Sequence, residues 1–356
     1  GDPLRIAVAC LLHGDGGRAP GVGPGRAFRP ADGDAYLELG RGPSGHRGGR
    51  QEAKCKANKH GGPEVMEYGE IKDPVAAPGQ VLVDVHAASV NGADWKTRSG
   101  YHAPTKKFPH IPGRDFSGVV SAVGRGVTEF KIGDEVFGVV ESSAENCYAE
   151  KVAINASIVT KKPSSWSHVE AAALGLVGLT AIVSIENALQ VKAGQTVLVQ
   201  GGAGGVASFG LQLAKHLGAR VISTCSAANV DYVKSLGADQ VIDYNQEDFT
   251  RVVKDCDAVF DTVGGEVAKN AFKVLKRGGR AAFINGPAPA APYEDMASLK
   301  PDASRKRAHL DRIVQLVTSG AVKLPQITTY ALADAQAAHR VSEGRHLRGK
   351  LVLVVR

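Results

Sequence analysis

Thr196-Val-Leu-Val-Gln200, running straight into Gly201-Gly-Ala-Gly-Gly-Val-Ala207, is the stretch from which the fold is read. The first five residues make an apolar, β-branched run of strand length, and Leu211, Ala214 and Leu217 that follow recur at helical spacing. Between them Gly202, Gly204, Gly205, Val206 and Ala207 fit the pattern G-x-G-x-x-A. Each small residue has a mechanical reason: a tight turn at Gly202, close backbone approach of a pyrophosphate at Gly204, and helix-to-strand packing at Ala207. The helix amides and dipole then face the phosphate. A glycine string alone is a turn; set between strand and helix, it is a dinucleotide cradle.

Working outward, Arg220-Val-Ile-Ser-Thr, Gln240-Val-Ile-Asp-Tyr, Ala258-Val-Phe-Asp-Thr and Arg280-Ala-Ala-Phe-Ile are further short apolar runs separated by helical stretches. That alternation predicts βαβ units and a parallel, doubly wound α/β sheet of Rossmann type. A sixth strand is hard to see between Pro287 and Lys300. Upstream the texture is different. Val81-Leu-Val-Asp-Val-His-Ala alternates, and Gly118-Val-Val-Ser-Ala-Val-Gly and Gly133-Asp-Glu-Val-Phe-Gly-Val-Val follow, so short strands broken by turn residues predict a small β-rich domain. Ala171 to Ile185 reads as a buried helix, Ala308 to Ser319 as an amphipathic one, and Leu351-Val-Leu-Val-Val as a last strand.

The chain has 356 residues and a net charge of +7, of which residues 1–60 hold +4, so the remainder is nearly balanced. A solvated basic tail fits this better than a groove that tracks nucleic acid. No apolar run approaches the ~20 residues of a membrane span. The five cysteines are widely spaced and never form C-x-x-C, which suggests a reducing, cytoplasmic setting rather than a disulfide or zinc scaffold. Residues 1–50 contain 13 Gly and 5 Pro without a sustained period, and residues 1–53 are expected to be a disordered leader.

After the second strand, where a chain that prefers NAD carries a carboxylate for the ribose, Thr224-Cys225-Ser226-Ala-Ala-Asn229 offers hydroxyl and amide groups only. That favours NADP(H), although Ser226 and Asn229 could equally cap the next helix.

With these residues in view, the chain resembles the medium-chain dehydrogenase/reductase superfamily, in its zinc-independent quinone oxidoreductase, zeta-crystallin-like branch. The motifs are His60-Gly-Gly-Pro-Glu-Val, Ala88-Ser-Val-Asn-Gly-Ala-Asp-Trp-Lys, Pro112-Gly-Arg-Asp-Phe-Ser-Gly-Val-Val, Gly133-Asp-Glu-Val-Phe-Gly, the Gly202 loop, Leu236-Gly-Ala-Asp, Asp261-Thr-Val-Gly-Gly and Arg348-Gly-Lys. The resemblance implies a GroES-like catalytic domain from both chain ends, 54–176 and 302–356, around a Rossmann domain, 177–301, with the active site in the cleft and a homodimeric assembly. It implies Asn91, Lys96 and Thr180 near the nicotinamide, Tyr101 or His102 at the substrate mouth, and Ser226 and Tyr244 at the adenosine phosphate. Thr262, Val263, Gly264, Phe283 and Asn285 are its nicotinamide-side strand ends. The positions that match catalytic zinc ligands are Asn91, Arg114 and Leu176, which do not suit that metal, so no metal is expected. His60, His86 and His110 are not at metal-ligand spacing and are expected to be structural. The implied activity is NADPH-dependent reduction of quinones or α,β-unsaturated carbonyls. The alternatives are a zinc-free alcohol dehydrogenase or enoyl reductase of the same fold, and an NADPH-binding structural or regulatory protein.

Overall fold

The computed structural model describes residues 51–141, 144–302 and 304–356. The first half is a β-rich unit: β1 (Gln51–Ala57), β2 (Met66–Lys72), β3 (Gln80–Val90), α1 (Gly92–Arg98), β4 (Asp115–Val123), β5 (Glu135–Val139), β6 (Lys151–Asn155) and β7 (Val159–Lys161). The strand β1 pairs antiparallel with β2 from Gln51↔Lys72 to Ala57↔Met66. The expected leader boundary at residue 53 therefore cuts into a strand. Ala53 also accepts from the Glu150 amide at 3.2 Å. Leader residues 1–50 and Cys10 lie outside the described residues.

The dinucleotide half follows: α2 (His168–Ile182), β8 (Thr196–Gln200), α3 (Gly205–His216), β9 (Arg220–Cys225), α4 (Val230–Ser235), β10 (Gln240–Asp243), α5 (Phe249–Val252), β11 (Cys256–Asp261), α6 (Gly265–Asn270), β12 (Leu275–Phe283) and β13 (Ala297–Leu299). The strands form one parallel sheet in the order β10-β9-β8-β11-β12-β13. The sixth strand is β13, three residues long and therefore too short to show a period. Strand order reverses between β8 and β11, and in doubly wound sheets the crevice at that reversal is where ligands bind. Both the Gly201–Ala207 loop and the Thr262–Gly264 turn leave the sheet at this point.

The chain then adds α7 (Arg307–Thr318), β14 (Ile327–Ala331), α8 (Ala335–Glu343) and β15 (Lys350–Val354). The last strand runs antiparallel to β3 and parallel to β14, so both chain ends share one sheet, ordered β14-β15-β3-β4-β5-β7 with β6 also on β3. The helix α7, just past the expected boundary at 302, touches both halves: Arg307 Nε donates to Val159 O at 2.9 Å and Thr160 Oγ1 donates to Asp311 on the β-rich side. Its Leu310, Ile313 and Leu316 stripe joins the same apolar cluster as α2 and α3, with Ile313 beside Gly178 and Phe209. Burying each such side chain stabilises by ~1.5–3 kcal/mol.

From His168 the helix continues as a π turn to Ala188, making 21 residues long and apolar enough to cross a membrane by composition. It is packed instead. Ala171–Leu179 is buried on every side, because the helix runs between the β-rich sheet, at β3, β4 and β5, and the helices that follow it, α3 and α7 (Arg307–Thr318). The Ser167 hydroxyl accepts from Glu170 N at 3.2 Å and starts it with a capping box.

Candidate active site

At the phosphate cradle the left-handed turn falls on Gly201, with φ +78°, rather than on Gly202. Gly202 is needed for another reason. A Cβ there would lie 2.2 Å from Ser223 Oγ on β9, so the loop lies directly on the neighbouring strand. Thr224 braces the loop: its hydroxyl accepts from Gly201 N at 3.2 Å and its carbonyl from Gly202 N at 2.9 Å. It is buried beneath the loop that it braces. At Gly204, by contrast, a Cβ would meet only Gly201 O, at 3.4 Å. This open face, with Gly204 as N-cap, Gly205 and Val206 in the first turn and no acidic side chain there, leaves amides for an anion. The residues present fit a dinucleotide.

The ribose turn holds a residue that the sequence reading did not assign. Ser226 is the N-cap of the short turn after β9, and its hydroxyl accepts from Asn229 Nδ2 at 3.0 Å. The Asn229 oxygen accepts from Arg348 Nε at 2.7 Å, and Arg348 Nη2 donates to the Ala228 carbonyl. The guanidinium also lies 5.4 Å from the Tyr232 ring centroid. A permanent cation thus sits on the turn, brought from 119 residues away. Its neighbours continue along the cleft: Gly349 N donates to Ala203 O at 2.9 Å, and the Lys350 stem lies against Gly205. The motif Arg348-Gly-Lys was visible in the sequence, but nothing local says where it lands. Tyr244, exposed, is tied to the same corner by its amide to Cys225 O at 3.1 Å.

The other expected site residues lie on and around α1. Asp94 Oδ2 accepts from Asn91 N at 2.9 Å and fixes the start of the helix. Asn91 is buried with its amide fully engaged: Nδ2 donates to Asp115 Oδ1 at 2.8 Å, and Oδ1 accepts from Lys350 Nζ at 2.8 Å. Asp115 also accepts from Ser89 Oγ at 2.7 Å and Leu176 N at 2.9 Å. These bonds determine which way the Asn91 amide faces. Burial raises the Asp94 carboxyl to about 7, although Arg114 opposes the shift. Burial likewise lowers Lys350.

Lys96 is not a solvated surface lysine. It is 9% exposed, and its Nζ donates to Asn285 Oδ1 at 2.5 Å. Desolvation, with Arg345 and Lys300 nearby, lowers its pKa to about 8. Asn285 Nδ2 in turn donates to Val263 O at 2.5 Å. Gly264, with φ +81°, lies so close to Asn285 O that a Cβ would be 2.5 Å from it, and Thr262 Oγ1 donates to Gln200 O at 2.8 Å. The structure therefore brings together Lys96, Thr262, Val263, Gly264 and Asn285 beside the Gly201 loop. It does not bring every expected residue there. Phe283 is wholly buried against Phe272 with its ring in the core, because strand alternation turns it away from the crevice. Tyr101 is 69% exposed, beside His102, with no side-chain hydrogen bond among the described residues. Thr180 is half-buried one turn beyond Val177, which would touch a Cβ on Gly205.

The positions matching zinc ligands are otherwise employed. Arg114 donates to Glu145 Oε1 at 2.5 Å and to Thr97 Oγ1 at 3.1 Å, and Leu176 contributes its amide to Asp115. With the Asn91 amide engaged as well, this set offers zinc no thiolate and no imidazole, and it does not fit the metal. His60 is structural, its nitrogens on Arg98 O and Pro104 O at 3.1 and 3.2 Å. His110 Nε2 lies 2.9 Å from Glu145, and the His86 ring stacks 4.3 Å from His168.

Two family models match: the alcohol dehydrogenase GroES-like domain over residues 77–192, and the zinc-binding dehydrogenase over residues 236–353. The Arabidopsis thaliana chloroplast envelope quinone oxidoreductase homolog is 32% identical over 82% of this chain and 95% of its own length. The chain belongs to the quinone oxidoreductase branch of the medium-chain dehydrogenase/reductase superfamily. Within that superfamily, the 2-methylene-furan-3-one reductase of Solanum lycopersicum is 38% identical, but over 62% of this chain and 61% of its own length. The Escherichia coli quinone oxidoreductase complexed with NADPH superposes with a TM-score of 0.78 at 28% identity, covering 85% of this chain and all of that one. The superfamily's two-domain cleft accounts for the convergence of four distant chain segments on one crevice.

Proposed function

We propose that this chain is an NADPH-dependent, zinc-free reductase of quinones and conjugated enones. The hydrogen bond from Lys96 to Asn285 carries the reading. It joins the acceptor-side helix to the strand end beside which a nicotinamide would lie, and it does so with a desolvated, protonated amine. The Gly201–Gly205 loop and the first amides of α3 hold the pyrophosphate. Arg348, steadied by Asn229 and Ala228, and the carboxylate-free Ser226 turn hold the 2′-phosphate; the E. coli relative's complex with NADPH supports this choice. When bound, the nicotinamide supplies a hydride to the electron-poor carbon of the acceptor. Lys96 Nζ holds its proton at the acceptor oxygen, where negative charge develops, and solvent can replace that proton. Such acceptors need no Lewis acid, which agrees with the occupants of the zinc positions. The relatives named for a quinone and for a 2-methylene-furan-3-one, a conjugated enone, support the substrate class. A homodimer and a reducing, cytosol-like compartment belong to the same proposal, the latter supported by the buried, unpaired Cys55, Cys147, Cys225 and Cys256.

The test is NADPH oxidation against a panel of quinones and enones, with elemental analysis of the same sample. Turnover without stoichiometric zinc, unaffected by chelator, is expected. Tight NADPH binding with no turnover of any acceptor would make the protein a binding module.

A further inference from the structure

We infer that the acceptor this enzyme reduces is itself an anion, an enone or quinone carrying a carboxylate that Lys300 and Arg345 hold while Lys96 serves the reacting oxygen. The inference rests on the proposed reductase activity and narrows its substrate class. Three cations meet at the acceptor end of the cleft. Lys96 reaches the Asn285 side chain, and Lys300 Nζ donates to the carbonyls on either side of that same asparagine, Ile284 O at 3.1 Å and Gly286 O at 2.7 Å. Arg345 Cζ and Lys96 Nζ each lie 5.5 Å from the Trp95 ring centroid. Every one of these partners is neutral.

Nearby cations are treated differently. Arg114 and Lys106 share the buried Glu145 with His110, and Arg98 pairs with Glu343. Lys96, Lys300 and Arg345 form no ion pair with a carboxylate among the described residues. They are close enough to act on one another, since Arg345 and Lys300 both help to lower Lys96, and Lys96 and Lys300 with Arg114 help to lower His102. One carboxylate acts on the cluster, Asp261, which favours the charge on Lys300. Asp261 accepts from the Gly264 amide through Oδ1 at 2.7 Å, and Glu145, which acts on the neighbouring His102, is already shared by Arg114, Lys106 and His110. Gathering three cations with a single carboxylate near one of them is unfavourable, and an incoming anion reverses the sign. Lys300 and Arg345 are exposed, so an acceptor can reach them, whereas Lys96 is buried beneath. The cofactor's own phosphates have other donors, at the Gly204 loop and at Arg348, and its nicotinamide end carries a neutral carboxamide.

The experiment uses two acceptors with one enone, 8-oxonon-6-enoate and its methyl ester, in which four methylenes insulate the alkene from the charge. At ionic strength near 0.02 M, kcat/KM is expected to favour the carboxylate by ~10-fold or more, and the ratio should shrink as salt screens the cluster. Lys300→Gln, which keeps a donor for the two carbonyls, and Arg345→Gln should each reduce that ratio several-fold through the acceptor KM. A ratio of one or less in the wild type would overturn the inference while leaving the reductase reading intact. Variants that raise the NADPH KM instead would also overturn it, by assigning these cations to the cofactor. Turnover of neither acceptor would overturn this inference, and the panel of quinones and enones decides the reductase reading separately.

Discussion

At the adenosine end of the cleft, Arg348 rests half-exposed on Asn229 and Ala228; at the acceptor end, Lys96 is buried against Asn285. Both are cations held by neutral partners, yet they differ in what they can do. A guanidinium stays charged at any working pH and presents a fixed fork, which suits an anion that never changes, such as a ribose 2′-phosphate. An ε-amine shifts when desolvated, and Lys96, brought down to about 8, can answer a charge that appears only during reaction. In the proposed mechanism, recognition falls to the residue that cannot titrate and chemistry to the one that can.

The comparison breaks most visibly at Lys96. Lys96→Met should lower kcat/KM for the acceptor by ~10²–10³-fold with little change in NADPH affinity, the scale of losing one preorganised donor at a developing oxyanion. Because Lys96 is protonated below about 8, wild-type kcat/KM should fall as pH rises through that value. In Lys96→Arg, which keeps its charge, this alkaline limb should be absent. Stopped-flow and steady-state pH profiles decide it, and a profile unchanged in Lys96→Arg would count against the lysine as the titrating group.

Arg348→Ala tests the other end. It should cut the preference for NADPH over NADH by ~10–100-fold, the equivalent of one charge-assisted pair, and Ser226→Asp should erase or invert the preference. Measured kcat/KM for both cofactors gives the answer; equal use by the wild type would show that the turn does not read a phosphate.

A smaller effect sharpens the middle of the cleft. Gly204→Ala should weaken dinucleotide binding by ~10-fold with Tm nearly unchanged, since its Cβ would meet only Gly201 O, at an ordinary contact distance of 3.4 Å. Gly202→Ala should lower Tm as well, because its Cβ would strike Ser223. Calorimetric titration beside thermal unfolding separates the two.

Local physics made much of this protein legible. The Gly201–Ala207 loop could be read because strand, turn and helix follow one another within a dozen residues, and the parallel sheet could be read because each strand announces itself by an apolar run. Even there the detail moved: the left-handed residue was Gly201, and β13 was too short to announce itself. That α7 packs on α2 on one side and on β7 on the other is a property of the assembled layers rather than of the helix. The cluster of Lys96, Asn285, Lys300 and Arg345, and the clamp of Arg348 on Asn229, join residues up to 249 positions apart. No period or motif encodes such a meeting. By itself, the sequence determined the kind of domain and the cradle, because those follow from backbone periodicity and glycine sterics. Only the tertiary structure decided which cations stand unpaired and which amine is desolvated, because burial and charge partnership exist only once distant segments have packed.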